Sequence, residues 1–197
     1  MIVDKDCYKK YLSADEFSFD ISTKGFKSKF LFFLKYHAYS ERYVLLNYLK
    51  ILRRLEYFHN NKQSNLFNRI AYLYYYLKFR RQSVKLQINI PVNTLGEGAL
   101  ILHLGTIIIN GGAKIGKNCI LQPGVIIGQK DLKENVPCIG DNVYFGPGSM
   151  VIGKIKIGDN VIIAPNSVVI KDVPDNCIVS GVPAIIIKQN VFKMINT

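Results

Sequence analysis

Apolar residues follow two different rules along this chain. In the first part they recur at intervals of three and four: Leu45, Leu49, Leu52, Leu55 and Phe58 share one helical face, and Leu66, Ile70, Leu73 and Leu77 share another. This spacing predicts two amphipathic helices whose stripes turn toward a core. Ser40 with Glu41 suits the start of the first, Ser64 is placed to cap the second, and Arg80 with Arg81 would complement the dipole at the second helix's end. An earlier helix is expected from Phe26 to about Tyr39, whereas residues 1–25 give no firm pattern.

From about residue 86 the period changes. Every sixth residue from Ile109 reads Ile109, Ile115, Leu121, Ile127, Lys133, Ile139, Phe145, Val151, Ile157, Ile163 and Val169, all large and apolar except Lys133. The next position is often small, as at Gly116, Gly140, Gly158 and Ala164, and Leu95, Ile101 and Ile107 continue the series backward in a frame displaced by two residues. A period of six is neither helical nor that of a simple alternating strand. It fits a short strand and a tight turn, repeated so that aliphatic residues of successive coils stack in internal columns. Lys133 falls in the polar run Gln129 to Asn135, which reads as a loop leaving the coil over residues 129–138. Loops that interrupt a repeat tend to serve a site.

Composition divides at the same place. Of 23 Phe and Tyr, 20 precede residue 91, while 14 of 15 Gly and all seven Pro follow Ile90. An α+β chain is therefore expected, with a helical region of residues 1–85, a repeat domain of residues 86–188 and a tail of residues 189–197. The formal charge of +12 is uneven too: residues 1–90 hold 17 Lys and Arg against 7 Asp and Glu, and the remainder 9 against 7. A basic, aromatic half suits nucleic acid, an anionic membrane surface or an anionic ligand. No nucleic-acid recognition motif accompanies it, so nucleic acid is not expected. Tyr72, Tyr74, Tyr75 and Tyr76 among Arg69, Lys78, Arg80 and Arg81 suit peripheral contact with a bilayer or, more plainly, subunit packing and a solvated face. No apolar run approaches the roughly 20 residues of a membrane span. The N-terminus lacks the pattern of a secretory signal, and Cys7, Cys119, Cys138 and Cys177 are too scattered for a zinc site and fit a reducing cytoplasm.

The second half, over roughly residues 86–188, resembles the hexapeptide-repeat acyltransferases, most closely their serine acetyltransferase-like branch. The resemblance rests on Ile101-Leu-His-Leu-Gly-Thr-Ile-Ile-Ile-Asn110, Ala113-Lys-Ile-Gly-Lys-Asn-Cys119, Ile139-Gly-Asp-Asn-Val-Tyr-Phe-Gly-Pro-Gly-Ser149, Asn166-Ser-Val-Val-Ile-Lys-Asp-Val-Pro174 and Ser180-Gly-Val-Pro-Ala184. It implies a left-handed parallel β-helix of triangular section with three hexads per coil. It also implies a homotrimer with acetyl-CoA, as co-substrate, bound between adjacent subunits. No metal is expected: carbonic anhydrases of similar fold need three histidine ligands, and the repeat domain has one histidine.

That histidine, His103, matches the family's catalytic histidine and lies where the repeat frame slips by two residues. An alcohol attacking a thioester needs a base that takes its proton as the bond forms, and imidazole, with its natural pKa near neutrality, suits both that step and return of the proton to the departing thiolate. Asn89 is close enough in sequence to orient His103, and reads equally well as an ordinary turn asparagine. For acetyl-CoA the matching positions are Gly148, Ser149, Asn166, Ser167 and Lys171, the small residues through their backbone and Lys171 at a CoA phosphate. Read without the resemblance, Ser149 and Ser167 are small inward repeat positions and Lys171 a solvated cation.

Three positions depart from the serine enzymes. Ile88, Leu102 and Val136 stand where the family has two aspartates and a second histidine. The expectation is accordingly an O-acetyltransferase acting on a sugar hydroxyl, small or lipid-linked, in surface polysaccharide assembly. It would be a cytoplasmic enzyme that contacts the inner membrane face through its basic half. Serine O-acetyltransferase is the alternative, and a non-enzymatic β-helix scaffold the third reading.

Overall fold

The computed structural model describes residues 1–21, 26–38, 40–131 and 135–189. Four helices come first: α1 (Lys5–Ser18), α2 (Phe26–His37), α3 (Glu41–Asn61) and α4 (Leu66–Leu86). α1 fills a stretch where periodicity gave nothing. Asp4 starts it by accepting hydrogen bonds from the Asp6 and Cys7 amides at 2.9 and 2.7 Å, and the residue it buries is the charged Asp15. α2 ends at His37, and Tyr39 lies outside the described residues.

α3 buries the expected stripe, with Leu45, Leu49, Leu52 and Leu55 in the core alongside Tyr48 and Ile51. Ser40 precedes it without a side-chain capping bond. α4 departs from the pattern in three ways. Asn65 caps it, its Oδ1 accepting from the Asn68 amide at 2.8 Å, while the Ser64 hydroxyl donates to the Asn61 carbonyl. The helix continues past Arg80 and Arg81 to Leu86, with Lys85 in its last turn. The stripe expected to face a core is outside: Leu66, Ile70, Leu73 and Leu77 are 69, 61, 56 and 55% exposed. α4 turns Phe79, Ser83 and Leu86 inward instead, with Phe79 against Tyr48 and Tyr75 stacked on Phe58 of α3. α4 carries more than one apolar stripe at helical spacing, and α3 covers only the one with Phe79 and Leu86.

The strands wind in coils. The first holds β1 (Ile88–Asn89) and β2 (Leu100–Ile101); the second β3 (Ile107–Ile109), β4 (Lys114–Ile115) and β5 (Ile120–Leu121); the third β6 (Ile126–Gly128), β7 (Cys138–Ile139) and β8 (Tyr144–Phe145). The fourth holds β9 (Met150–Ile152), β10 (Lys156–Ile157) and β11 (Ile162–Ile163), and the last β12 (Val168–Val169) and β13 (Ile178–Gly181), after which β14 (Ala184–Lys188) turns back antiparallel on β13. Like positions pair in parallel into three faces: β1-β3-β6-β9-β12, β4-β7-β10 and β2-β5-β8-β11-β13. The fold is the left-handed β-helix expected.

Inward columns follow the hexads. Ile109, Ile127, Val151 and Val169 stack on the first face, Ile115, Ile139 and Ile157 on the second, and Ile101, Leu121, Phe145, Ile163 and Val179 on the third. All are buried. The columns also show where the repeat is broken. Between third and first faces, the step is six residues from Leu121 to Ile127 and from Phe145 to Val151, but eight from Ile101 to Ile109. Between first and second faces it is six from Ile109 to Ile115, twelve from Ile127 to Ile139 and four from Val169 to Val173. The twelve-residue step is the expected loop; Lys133 itself lies outside the described residues.

The remaining edge is regular and polar. Asn118, Asn142, Asn160 and Asn176 all adopt positive φ of 53–58°, a conformation asparagine tolerates better than most residues. Their amides form a ladder, each Nδ2 donating to the next Oδ1 at 3.0–3.2 Å.

The helical layer docks on the first coil through buried charge. Arg53 of α3 is fully buried and donates to Asp15 at 2.8 Å, to Glu56 at 3.0 Å and to the carbonyls of Leu95 and Gly96 at 2.8 and 2.5 Å. Asp15 in turn accepts from the Gly98 and Ala99 amides, and Glu56 from the Asn93 amide. Burial opposes the guanidinium charge, but Asp15 and Glu56 outweigh it and hold the pKa above its ordinary value. Tyr48 adds a second anchor by donating to the Ile88 carbonyl and accepting from the Ile90 amide; burial pushes its phenol pKa up.

Candidate active site

The eight-residue step carries His103. Its two extra residues leave His103 and Leu104 exposed, and the start of α3 lies against them. Glu41, the first residue of α3, places Oε2 3.2 Å from His103 Nδ1 and accepts the Leu104 amide on Oε1 at 2.6 Å. A carboxylate only accepts, so this contact assigns the proton of a neutral imidazole to Nδ1 and leaves the Nε2 lone pair free as a base. The side chains are 61% and 39% exposed. The group in contact with His103 Nδ1 is thus Glu41. Asn89 sits on β1, facing a cavity of about 210 Å³ shared with His59, Tyr72 and Arg80.

Sequence reading recognised Glu41 only as an acid in a helix's first turn. Its signal was the serine-glutamate start of α3, but no sequence spacing says that a helix 62 residues upstream of His103 returns to it.

Below His103 the same edge continues through three coils. The Gly124 amide donates to the Thr106 carbonyl, Gly148 to Pro123 and Asn166 to Pro147, at 2.7–2.9 Å. Pro123, Pro147 and Pro165 thus occupy equivalent corners, and glycine is demanded at Gly105, where a Cβ would press on Pro123, and at Gly148, which has φ +70° and the Asn166 amide in the way. The result is a rail of small corner residues, about 4.8 Å per coil, leading away from His103.

Gly148 and Asn166 lie on this rail. Ser149 and Ser167 do not present their hydroxyls to it: both are fully buried inside the prism, Ser149 Oγ without a partner and Ser167 Oγ accepting from the Gly181 amide. They are inward repeat positions, and only their backbone is available to a ligand. Lys171 is exposed in the four-residue step, on the next edge, across the face formed by β12. Ile88 is fully buried on β1, paired with Ile107 of β3. Leu102 is half-buried beside His103, and Val136 lies by Gly112 on the loop edge. Among the described residues no group of His, Cys, Asp and Glu could hold a metal ion.

These features define a hexapeptide-repeat protein: the model of the bacterial transferase hexapeptide (six repeats) matches residues 139–171. Within that class the chain is similar to serine acetyltransferases. It is 38% identical over 102 residues to the serine acetyltransferase of Synechococcus elongatus, covering 51% of this chain and 42% of that one. It is 42% identical over 104 residues to serine acetyltransferase 1, chloroplastic, of Arabidopsis thaliana, covering 51% of this chain and 33% of that one. The chain thus spans less than half the length of these curated relatives. A crystal structure of serine acetyltransferase in complex with coenzyme A from Brucella abortus superposes with TM-score 0.69 at 24% identity, over 94% of this chain and 69% of that one.

Proposed function

We propose that the chain is an acetyl-CoA-dependent O-acetyltransferase in which His103, held by Glu41, is the general base. The contact that carries this reading is Glu41 to His103 Nδ1, made at the head of the rail. The rail fits a pantetheine arm, since its corners are proline, glycine and asparagine, and the cation of Lys171 suits a phosphate. Acetyl-CoA supplies an acetyl thioester. His103 Nε2 accepts the proton of the acceptor hydroxyl as that oxygen bonds to the thioester carbonyl carbon, and the imidazolium, stabilised by the Glu41 carboxylate, returns the proton to the CoA thiolate released when the C–S bond breaks.

L-serine is the first acceptor to test, in keeping with the names of the relatives, and this reverses the order expected from the sequence. A sugar hydroxyl is the second reading, favoured by the apolar Leu102 beside His103.

We further infer a homotrimer on the cytoplasmic side of the membrane, with a peripheral contact at its inner face. In one chain, His103 and the loop with Lys171 stand on different edges of the prism. A threefold assembly brings such edges together between neighbours.

The test is acetyl-CoA consumption by wild type and His103→Ala with L-serine beside a panel of nucleotide- and lipid-linked sugars. Saturable O-acetylserine formation lost in the variant is expected. Turnover of sugars alone would restore the glycan reading, and full activity of the variant would remove His103 from the chemistry.

A further inference from the structure

The acidic residues of the helical half are confined to two places. Between Asp20 and Glu41, and again between Glu56 and Glu97, the chain has none. α2 and α4 lie in these two gaps, so α2 carries Lys27, Lys29 and Lys35, and α4 carries Arg69, Lys78, Arg80, Arg81 and Lys85, without one carboxylate of their own. The same two helices leave apolar side chains uncovered. Phe30, Leu31, Phe33 and Leu34 of α2 are exposed, as are Leu66, Ile70, Leu73, Leu77 and Val84 of α4. The helices adjoin, since Gln82 of α4 donates to the Tyr36 hydroxyl of α2 at 3.3 Å.

We propose that α2 and α4 form one lipid-contacting face that seats the protein on an anionic bilayer. The proposal gives the surface and lipid chemistry to the peripheral contact inferred above, and it stands apart from acetyl transfer. The occupant follows from charge. The exposed stripe of α4 runs at spacings of four and three from Leu66 through Leu77, and Arg80 interrupts it before Val84. A two-fold contact of this face with its own copy would bring arginine and lysine against arginine and lysine with no acid to separate them. An anionic headgroup layer takes the cations and leaves the Leu, Ile and Phe side chains to the acyl boundary. Tyr74 and Tyr76, also exposed on α4, are amphipathic side chains suited to that boundary. No described helix is long and apolar enough to cross a membrane, so the contact is one of lying on the surface.

The experiment is flotation of the full chain with phosphatidylcholine vesicles, with and without phosphatidylglycerol, at low and high salt. Binding is expected only with phosphatidylglycerol, and weakening with salt. Each cation near the surface contributes about fivefold to partitioning, so Arg80→Gln with Arg81→Gln should lower it about thirtyfold. Leu73→Gln with Leu77→Gln should abolish binding while circular dichroism and acetyl-CoA turnover stay at wild-type values. Failure of wild type to float with phosphatidylglycerol overturns the proposal, as does undiminished binding by either double variant. A fall in the lipid-free oligomer mass of Leu73→Gln with Leu77→Gln would also overturn it, by making the face a protein interface. Loss of turnover with flotation intact would count against the enzyme reading alone.

Discussion

Replacing Arg53 by methionine is expected to detach the helical layer from the β-helix. The guanidinium is the common partner of two buried carboxylates, Asp15 and Glu56, and of the Leu95 and Gly96 carbonyls on the first coil. Removing one member of such a buried network leaves charges without a partner or water, which costs about 3–5 kcal/mol. For a chain of this size each kcal/mol moves the melting midpoint by about 2–4 °C, so Arg53→Met should melt about 6–20 °C below wild type. Methionine nearly fills the same volume, so little of this would arise from a cavity. Scanning calorimetry measures the shift. A second variant, with Asp15→Leu and Glu56→Leu added to Arg53→Met, removes the stranded charges and should recover part of the loss. Recovery stays partial because Asp15 also accepts from the Gly98 and Ala99 amides and Glu56 from the Asn93 amide. A midpoint for Arg53→Met within about 2 °C of wild type would refute the argument that this network fastens the two layers.

Glu41→Ala should lower kcat about tenfold to a hundredfold without changing KM for acetyl-CoA, less than a buried triad carboxylate would because both side chains meet solvent; wild-type kcat would return Glu41 to a helix-capping role. Gly148→Ala forces a side chain into a left-handed corner against Asn166 and should cost at least about 1 kcal/mol in urea unfolding. Burial pushes the Cys119 thiol from its ordinary 9.0 up to about 12. Above about pH 9 the unfolded chain therefore releases a proton that the folded chain keeps, and stability should fall as pH rises from there toward 12, with a flatter profile in Cys119→Ala. Titration with a thiol reagent on the folded protein at neutral pH should accordingly label the exposed Cys138 and spare Cys119.

The β-helix was legible because its rule is strictly local. Each hexad from Ile109 to Val169 except that of Lys133 declares its inward residue, and the breaks at His103 and at Gln129 stand out against the rest. The helical half was legible only where one face is buried. α3 satisfies that condition. α1 hides its contact in Asp15, a charge buried against Arg53 that reads from sequence as solvated, and α4 shows a stripe that the fold leaves outside. His103 could be found from its motif, whereas Glu41 could not, because the pairing is made by the docking of α3 on the first coil. The inward hydroxyls of Ser149 and Ser167 show the converse: a motif names positions without saying whether side chain or backbone faces a ligand.

The unequal corners carry a consequence for how such a chain can change. Steps of four, six, eight and twelve residues each bring the next strand's inward residue into the column of its own face, so the length of a corner is almost invisible to the core. Each corner behaves as a separate cassette held between two fixed posts. A segment grafted between Ile127 and Ile139 would be positioned by strands that already tolerate a double-length turn, and lengthening a flexible connection costs only about 0.6 kcal/mol per doubling. Chemistry and recognition can then be exchanged at the corners, one at a time, while the columns of isoleucine, valine and leucine remain as they are.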